Sequence, residues 1–147
     1  MTRTVFECVC PTVNDTENAG QQLARLMIKD STLPKFVALC GGLGAGKTAF
    51  TRGFCSVCCP KANVKSPSFA LVNEYRGETN VFHFDVWRIT DDDDLYSVGY
   101  YDYFDRDGII LCEWADNIED SLPDGYVRVQ IEGNGNDTRA IKAVLYT

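Results

Sequence analysis

The stretch VALCGGLGAGKTAF, Val37 to Phe50, runs four apolar residues into a glycine cluster and follows it at once with a lysine and a threonine. Within it, Gly41-x-x-x-x-Gly46-Lys47-Thr48 matches the G-x-x-x-x-G-K-[ST] phosphate-loop pattern in full. Strand, loop and helix fall in the order that pattern needs. KFVALC reads as a short, continuously apolar strand of the kind buried in a parallel sheet. Gly41 to Thr48 forms the loop, and KTAFTRGFCSVC is the helix that leaves it. Glycines let the backbone turn its N–H groups inward onto phosphate oxygens, where a side chain would collide. The positive end of the following helix adds to that field. Lys47 would bridge the β- and γ-phosphates, and the Thr48 hydroxyl would ligate Mg²⁺.

A phosphate loop also needs a carboxylate across the sheet to hold the metal or its water. Two apolar strands end in acids: GIILCEW delivers Glu113, and VFHFDVW delivers Asp85. The strand before Glu113 is the more continuously apolar and so the more central, which makes Glu113 the better metal-holder. Asp85 is then free to orient or deprotonate an attacking water. His83, between two phenylalanines, reads as a packed or partly exposed strand residue. Trp87 and Trp114, close behind the two acids, read as core.

Working outward, TVFECVC reads as a strand and NDTENAGQQLARLMIKD as an amphipathic helix capped by Asp15 or Thr16. VKSPSF is a loop, because Pro67 and two hydroxyls interrupt the helical pattern. FALVNEYRGETNVFHFDVW reads as two strands around the turn RGETN. The run from Thr90 to Gly108 holds one or two short helices, with Thr90 or Asp91 at an N-terminus. GYVRVQIEGNGNDTRAIKAVLY is a hairpin with GNGND at its tip. The expected fold class is α/β: a single P-loop NTPase-like domain over residues 1–147, with a mostly parallel central sheet flanked by helices and an antiparallel C-terminal hairpin.

Composition narrows the function classes. At 147 residues and 45% hydrophobic, the chain has the size and apolar content of one globular domain. No apolar run approaches the roughly 18–20 residues that cross a bilayer, and MTRTVFECVC lacks a long hydrophobic signal region. These features point to no membrane association and to the cytoplasm. Seven cysteines, Cys55, Cys58 and Cys59 among them in CSVCC, could suggest zinc or redox chemistry. A zinc site needs a second ligand pair, and the one histidine lies far off in sequence, so reduced thiols on a helix are the simpler reading.

The net charge is −7, unevenly spread. Ser31 to Arg76 carries six basic residues and one acid, whereas Gly77 to Gly125 carries fourteen acids against Arg88 and Arg106. The first segment suits phosphate; the second repels a nucleic-acid backbone, so contact with RNA would run through a partner protein. No N-K-x-D motif is present to read guanine, and the arginines beyond the loop helix are too widely spaced for a kinase lid. ATP is the expected nucleotide, with water or a partner-bound group as acceptor. A P-loop small-molecule kinase and an interaction protein that uses ATP only as a structural staple stay open as alternatives.

Taken together, GGLGAGKTAFTRGF, NVKSPSFALVNEY, FHFDVWRI, GYYDYF and LCEWAD resemble the TsaE (YjeE) family over nearly the whole chain, from about Thr12 to Val144. That family comprises bacterial ATPases that help to make threonylcarbamoyladenosine at position 37 of tRNAs reading ANN codons. The resemblance implies a domain that binds ATP with Mg²⁺ and hydrolyses it slowly alone. It also implies action through TsaD-like and TsaB-like partners of sugar-kinase-like fold, with tRNA reached only indirectly. Carried over, Gly42, Leu43, Gly44, Ala45, Gly46, Lys47, Thr48 and Ala49 contact the nucleotide, and Thr48 and Glu113 hold the metal. Lys47, Asp85 and Glu113 carry the catalysis, with Asp85 on the HFD position. Ser66 and Ser68 lie in a switch-like loop near the γ-phosphate, and Trp114 sits beside the metal acid. The base lies near Asn14, Thr16 and Arg139. Gly42, Ala49 and Trp87 depart from what many relatives carry there, and the three clustered cysteines have no counterpart role.

Overall fold

A computed structural model of the chain describes residues 1–42, 44–67, 71–133 and 136–147. In chain order its elements are β1 (Thr2–Cys10), α1 (Val13–Lys29), β2 (Phe36–Cys40), α2 (Lys47–Cys58), β3 (Val72–Tyr75), β4 (Val81–Asp85), α3 (Asp92–Ser97), β5 (Ile109–Glu113), β6 (Tyr126–Gly133) and β7 (Arg139–Tyr146). Two 3-10 segments, Tyr100–Asp105 and Ala115–Ser121, complete the list. The strands form one seven-stranded sheet in the order β1-β7-β6-β2-β5-β4-β3.

The continuously apolar strands take the centre. β2 pairs in parallel with both β5 and β6, and β4 pairs in parallel with β5. The edges are antiparallel, β7 with β6 and β1 on one side and β3 with β4 on the other. The expected parallel sheet is therefore its centre. Every residue of β2 and β5 is buried, which requires that both faces be covered. Alternation divides the side chains between two cores. Val37, Leu39, Ile109 and Leu111 pack with Leu23, Met27, Phe50 and Phe54 of α1 and α2. Phe36, Ala38, Ile110 and Cys112 pack with Phe82, Phe84, Leu95 and Tyr100 on the opposite face.

α1 begins one turn earlier than its acids suggest. Thr12 is the cap: its hydroxyl accepts the Asp15 N–H at 3.2 Å, and the Asp15 carboxylate accepts the Thr12 N–H at 3.1 Å. Such reciprocal capping satisfies two otherwise orphaned donors. Asp91 caps α3 in the simpler way, accepting from the Asp94 N–H.

The crossing of α1 and α2 sets the position of the phosphate loop. A Cβ on Gly20 would lie 2.1 Å from the Phe50 carbonyl oxygen, and one on Gly53 would lie 1.8 Å from that of Glu17. The two helices thus meet backbone to backbone at a pair of glycines. All seven cysteines are free thiols, Cys55, Cys58 and Cys59 are buried among the apolar side chains of this face, and among the described residues no three His, Cys, Asp or Glu side chains are gathered as a metal-holding cluster.

Candidate functional site

The phosphate loop joins the C-terminal end of β2 to the N-terminus of α2. Its two structural glycines are held by their surroundings. At Gly41, a Cβ would come within 2.5 Å of the Ile131 carbonyl oxygen. At Gly46, the N-cap of α2, φ is +102° and the Arg139 guanidinium stands against the backbone, 3.3 Å from where a Cβ would be. α2 has no side-chain cap and no acid in its first turn. Its leading N–H groups and the positive end of its dipole are therefore offered to whatever occupies the cleft, which favours an anion.

Lys47, the first residue of α2, is buried. Its ammonium donates to the carbonyl oxygens of Gly41 at 2.6 Å and Gly42 at 3.0 Å, and it stands 3.8 Å from the centroid of the Trp114 ring. Burial pulls its pKa below the usual lysine value, opposed by the negative charges of Glu113, Asp116 and Asp85. The ammonium is thus held over the loop by groups that a phosphate oxygen would replace.

The two acids that end apolar strands are neighbours. The parallel register pairs Asp85 directly with Glu113. Glu113 is buried, and its carboxylate is hydrogen-bonded to Nε2 of the fully buried His83. One oxygen of Asp85 accepts the Trp87 N–H at 3.0 Å, and the other has no hydrogen bond among the described residues. Burial raises the Asp85 pKa; the Trp87 bond opposes that, and the Glu113 charge adds to it.

These groups line one cleft of about 520 Å³, whose walls include Gly44 to Thr48, Ser66, Asp85, Glu113 and Trp114. A second cleft lies across the loop, bounded by Gly42, Gly44, Ala45, Glu132, Gly133, Asn136 and Arg139. Arg139, in the wall of this second cleft, donates to the Gly44 carbonyl oxygen at 3.0 Å. Asn14 and Thr16 lie outside both linings, in the first turn of α1, Asn14 exposed and Thr16 buried. That turn follows Cys10, which pairs with Arg139 across β1 and β7, so it starts beside the same sheet edge. Ala49 is buried one residue deeper in α2. Leu43 and Ser68 lie outside the described residues.

The residues around the cleft fit Mg²⁺ with a phosphorylated ligand. Thr48 Oγ1 and the Glu113 carboxylate offer hard oxygen donors of the type that Mg²⁺ selects, and the uncapped helix start offers N–H groups to phosphate. Three features escaped the sequence reading. His83 is fully buried and bonded to Glu113 rather than merely packed. Trp87 lines the cleft instead of the core, its ring centroid 4.8 Å from that of Trp114, which the resemblance placed beside the metal acid and which both lines the cleft and packs against the inner cluster. Arg88 adds a cation to the cleft wall. The pattern H-x-D could have signalled the first, since residues two apart on a strand share a face.

The family model described as "Threonylcarbamoyl adenosine biosynthesis protein TsaE" matches residues 10–141. The chain is 37% identical over 130 residues to the Haemophilus influenzae protein named "tRNA threonylcarbamoyladenosine biosynthesis protein TsaE", covering 87% of this chain and 82% of that one. It is 36% identical over 131 residues to the Bacillus subtilis protein of the same name, covering 88% and 80%. Among solved structures, a crystal structure of Bacillus subtilis YdiB superposes with a TM-score of 0.77 at 28% identity, covering all of this chain and 88% of that one.

Proposed function

The chain belongs to the TsaE family of threonylcarbamoyl adenosine biosynthesis proteins, and from that premise we propose that it is the Mg²⁺-dependent ATPase of that tRNA modification, acting through TsaD-like and TsaB-like partners. One observation carries the reading: Lys47, Thr48, Asp85 and Glu113 line a single cleft at the uncapped N-terminus of α2.

The roles follow from position. The N–H groups of the loop and of the first turn of α2 bind phosphate oxygens. Lys47 exchanges its two carbonyl partners for phosphate, a stronger, charge-assisted bond. Thr48 and Glu113 hold Mg²⁺, which when bound neutralises charge on the phosphates. Asp85, with one oxygen held by the Trp87 N–H, turns the other to a water and orients it. Its raised pKa makes it a better proton acceptor than a solvated aspartate. Ser66 on the facing loop completes the γ-phosphate side, and Arg139 with the start of α1 borders the base. The acidic surface around Asp91 to Asp93, exposed on α3, suits a basic partner protein better than RNA. No helix among the described residues is long and apolar enough to cross a membrane.

The test is phosphate release from γ-labelled ATP, with and without Mg²⁺ and with and without the two partners. We expect slow Mg²⁺-dependent release to water that the partners raise. Lys47→Ala, Asp85→Asn and Glu113→Gln should each lower it on the order of 10²–10⁴-fold. Label transferred to an acceptor other than water, or binding without release under every condition, would overturn the assignment.

A further inference from the structure

The H-F-D pattern leaves His83 without a role in the scheme above, yet it occupies a costly position. It is fully buried on β4, flanked in sequence by Phe82 and Phe84, and both ring nitrogens are engaged. Nε2 meets the Glu113 carboxylate; Nδ1 lies 3.3 Å from the Tyr75 hydroxyl. Tyr75, on β3, is itself buried. Its hydroxyl accepts the Lys65 N–H at 3.1 Å and donates to the Lys65 carbonyl oxygen at 3.0 Å. Asn73 Nδ2 donates to that same carbonyl at 3.0 Å. Lys65 immediately precedes Ser66 and Pro67, which line the cleft.

We propose that His83 and Tyr75 are positioning residues that tie the Glu113 carboxylate to the loop bearing Ser66, so that the metal-holding acid and the loop order as one unit. The proposal rests on Glu113 as the metal-holding acid.

The chemistry of the chain supports a directed connection. A neutral His83 that donates its Nε2 proton to Glu113 presents Nδ1 as an acceptor. The Tyr75 hydroxyl has one proton to share between the Lys65 carbonyl at 3.0 Å and Nδ1 at 3.3 Å; when it turns to Nδ1 the phenol still accepts from the Lys65 N–H and Asn73 still holds the Lys65 carbonyl, so the loop backbone stays tied in either arrangement. A shift of the carboxylate moves a ring that is fully buried and bonded at both nitrogens, and the ring carries the phenol with it. In the other direction, release of the loop frees the phenol and lets the imidazole turn, which loosens the carboxylate. Outer partners of a ligating carboxylate commonly set metal affinity in this way. Because the link is thermodynamic, its effect is reciprocal: whatever the metal does to the loop, the loop does to the metal.

The experiment uses the full chain with AMPPNP, a non-hydrolysable nucleotide, titrated calorimetrically in Mg²⁺ and in EDTA. In parallel, the rate of tryptic cleavage after the exposed Lys65 is followed by mass spectrometry. Tyr75→Phe removes one hydroxyl, at a site remote from the phosphate loop. We expect it to speed cleavage after Lys65 and to shrink the Mg²⁺-dependent tightening of AMPPNP by on the order of 10-fold. His83→Leu, checked for folding by its melting curve, should do both more strongly. Faster cleavage in Tyr75→Phe with unchanged Mg²⁺ dependence would make Tyr75 a loop anchor only and overturn the coupling; so would no change in either readout. A wild-type chain that binds AMPPNP equally well in Mg²⁺ and EDTA overturns the metal assignment and the proposal with it.

Discussion

Replacing Gly53 by alanine pits two effects against each other. In an isolated helix the change is favourable by about 1 kcal/mol, because alanine restricts the unfolded chain and glycine does not. Here the new Cβ would lie 1.8 Å from the Glu17 carbonyl oxygen and 2.6 Å from its carbon. Real Cβ contacts essentially never fall below 3.0 Å, so α2 must withdraw from α1 by at least the 1.2 Å between those values. Both atoms opposing the Cβ are backbone, and no side-chain rotation can relieve the clash. Overpacking of this kind costs about 3 kcal/mol or more. Set against the helix gain, the net loss is about 2 kcal/mol, or about 4–8 °C in Tm for a chain of this size. The displaced helix carries the phosphate loop on its first turn, and a misplacement of about 1 Å can cost on the order of 100-fold in turnover. Circular dichroism melts read the first effect and phosphate release the second. Gly42→Ala is the control for stability, since a Cβ there meets nothing within 4 Å. A Gly53→Ala chain that melts at or above the wild-type temperature would refute the backbone-to-backbone crossing.

Three further outcomes are expected. Asp85→Asn should raise Tm at pH 7 while lowering the proposed phosphate release. The folded-state pKa of Asp85 lies above its usual value, so the stability tied to its neutral form is complete at low pH and is lost as pH rises through the folded value; a lowered Tm at pH 7 would contradict this. Glu74 accepts two hydrogen bonds from Arg106 and one from the Tyr103 hydroxyl, and these hold its pKa down at about 2. Its contribution is present above the usual value of 4.5 and disappears as pH falls toward 2. Exposure of both partners limits it to about 1 kcal/mol, so wild type and Glu74→Gln should differ in Tm by about 2–4 °C at pH 7 and converge near pH 2. Finally, six of the seven cysteines are buried, with burial pushing Cys10 and Cys58 up to about 12. A thiol reagent should therefore find Cys8 alone quickly in the native chain, and immediate reaction of several thiols would contradict the packing of α2.

Much of the fold was legible because its signals are local. The phosphate loop delimits β2 and α2 by its own spacing, and α2 runs from Lys47 to Cys58 as the pattern requires. The two acids at strand ends were readable as a pair because each closes an apolar run. What could not be read depends on pairing at a distance. β1 lies against β7, at the far end of the chain, and no composition rule distinguishes that partner from another strand. His83 acquires its meaning from Glu113, thirty residues on. Trp114 looked like core because aromatic residues beside apolar strands usually are. It is in the left-handed region, φ +61°, a conformation that costs a non-glycine residue about 1 kcal/mol or more, and the indole stands beside Lys47 while it still packs against the inner cluster.

The two indoles, at positions 87 and 114, are the only ones in the chain, and they stand together on the cleft wall with the ammonium of Lys47 over one of them. Ultraviolet emission excited at the red edge of the protein spectrum therefore originates at one place. If a nucleotide binds as proposed and draws the cation away, that light should change with no background from another indole, so the unlabelled protein would be its own optical sensor of occupancy, and stopped-flow mixing would time each arrival and departure.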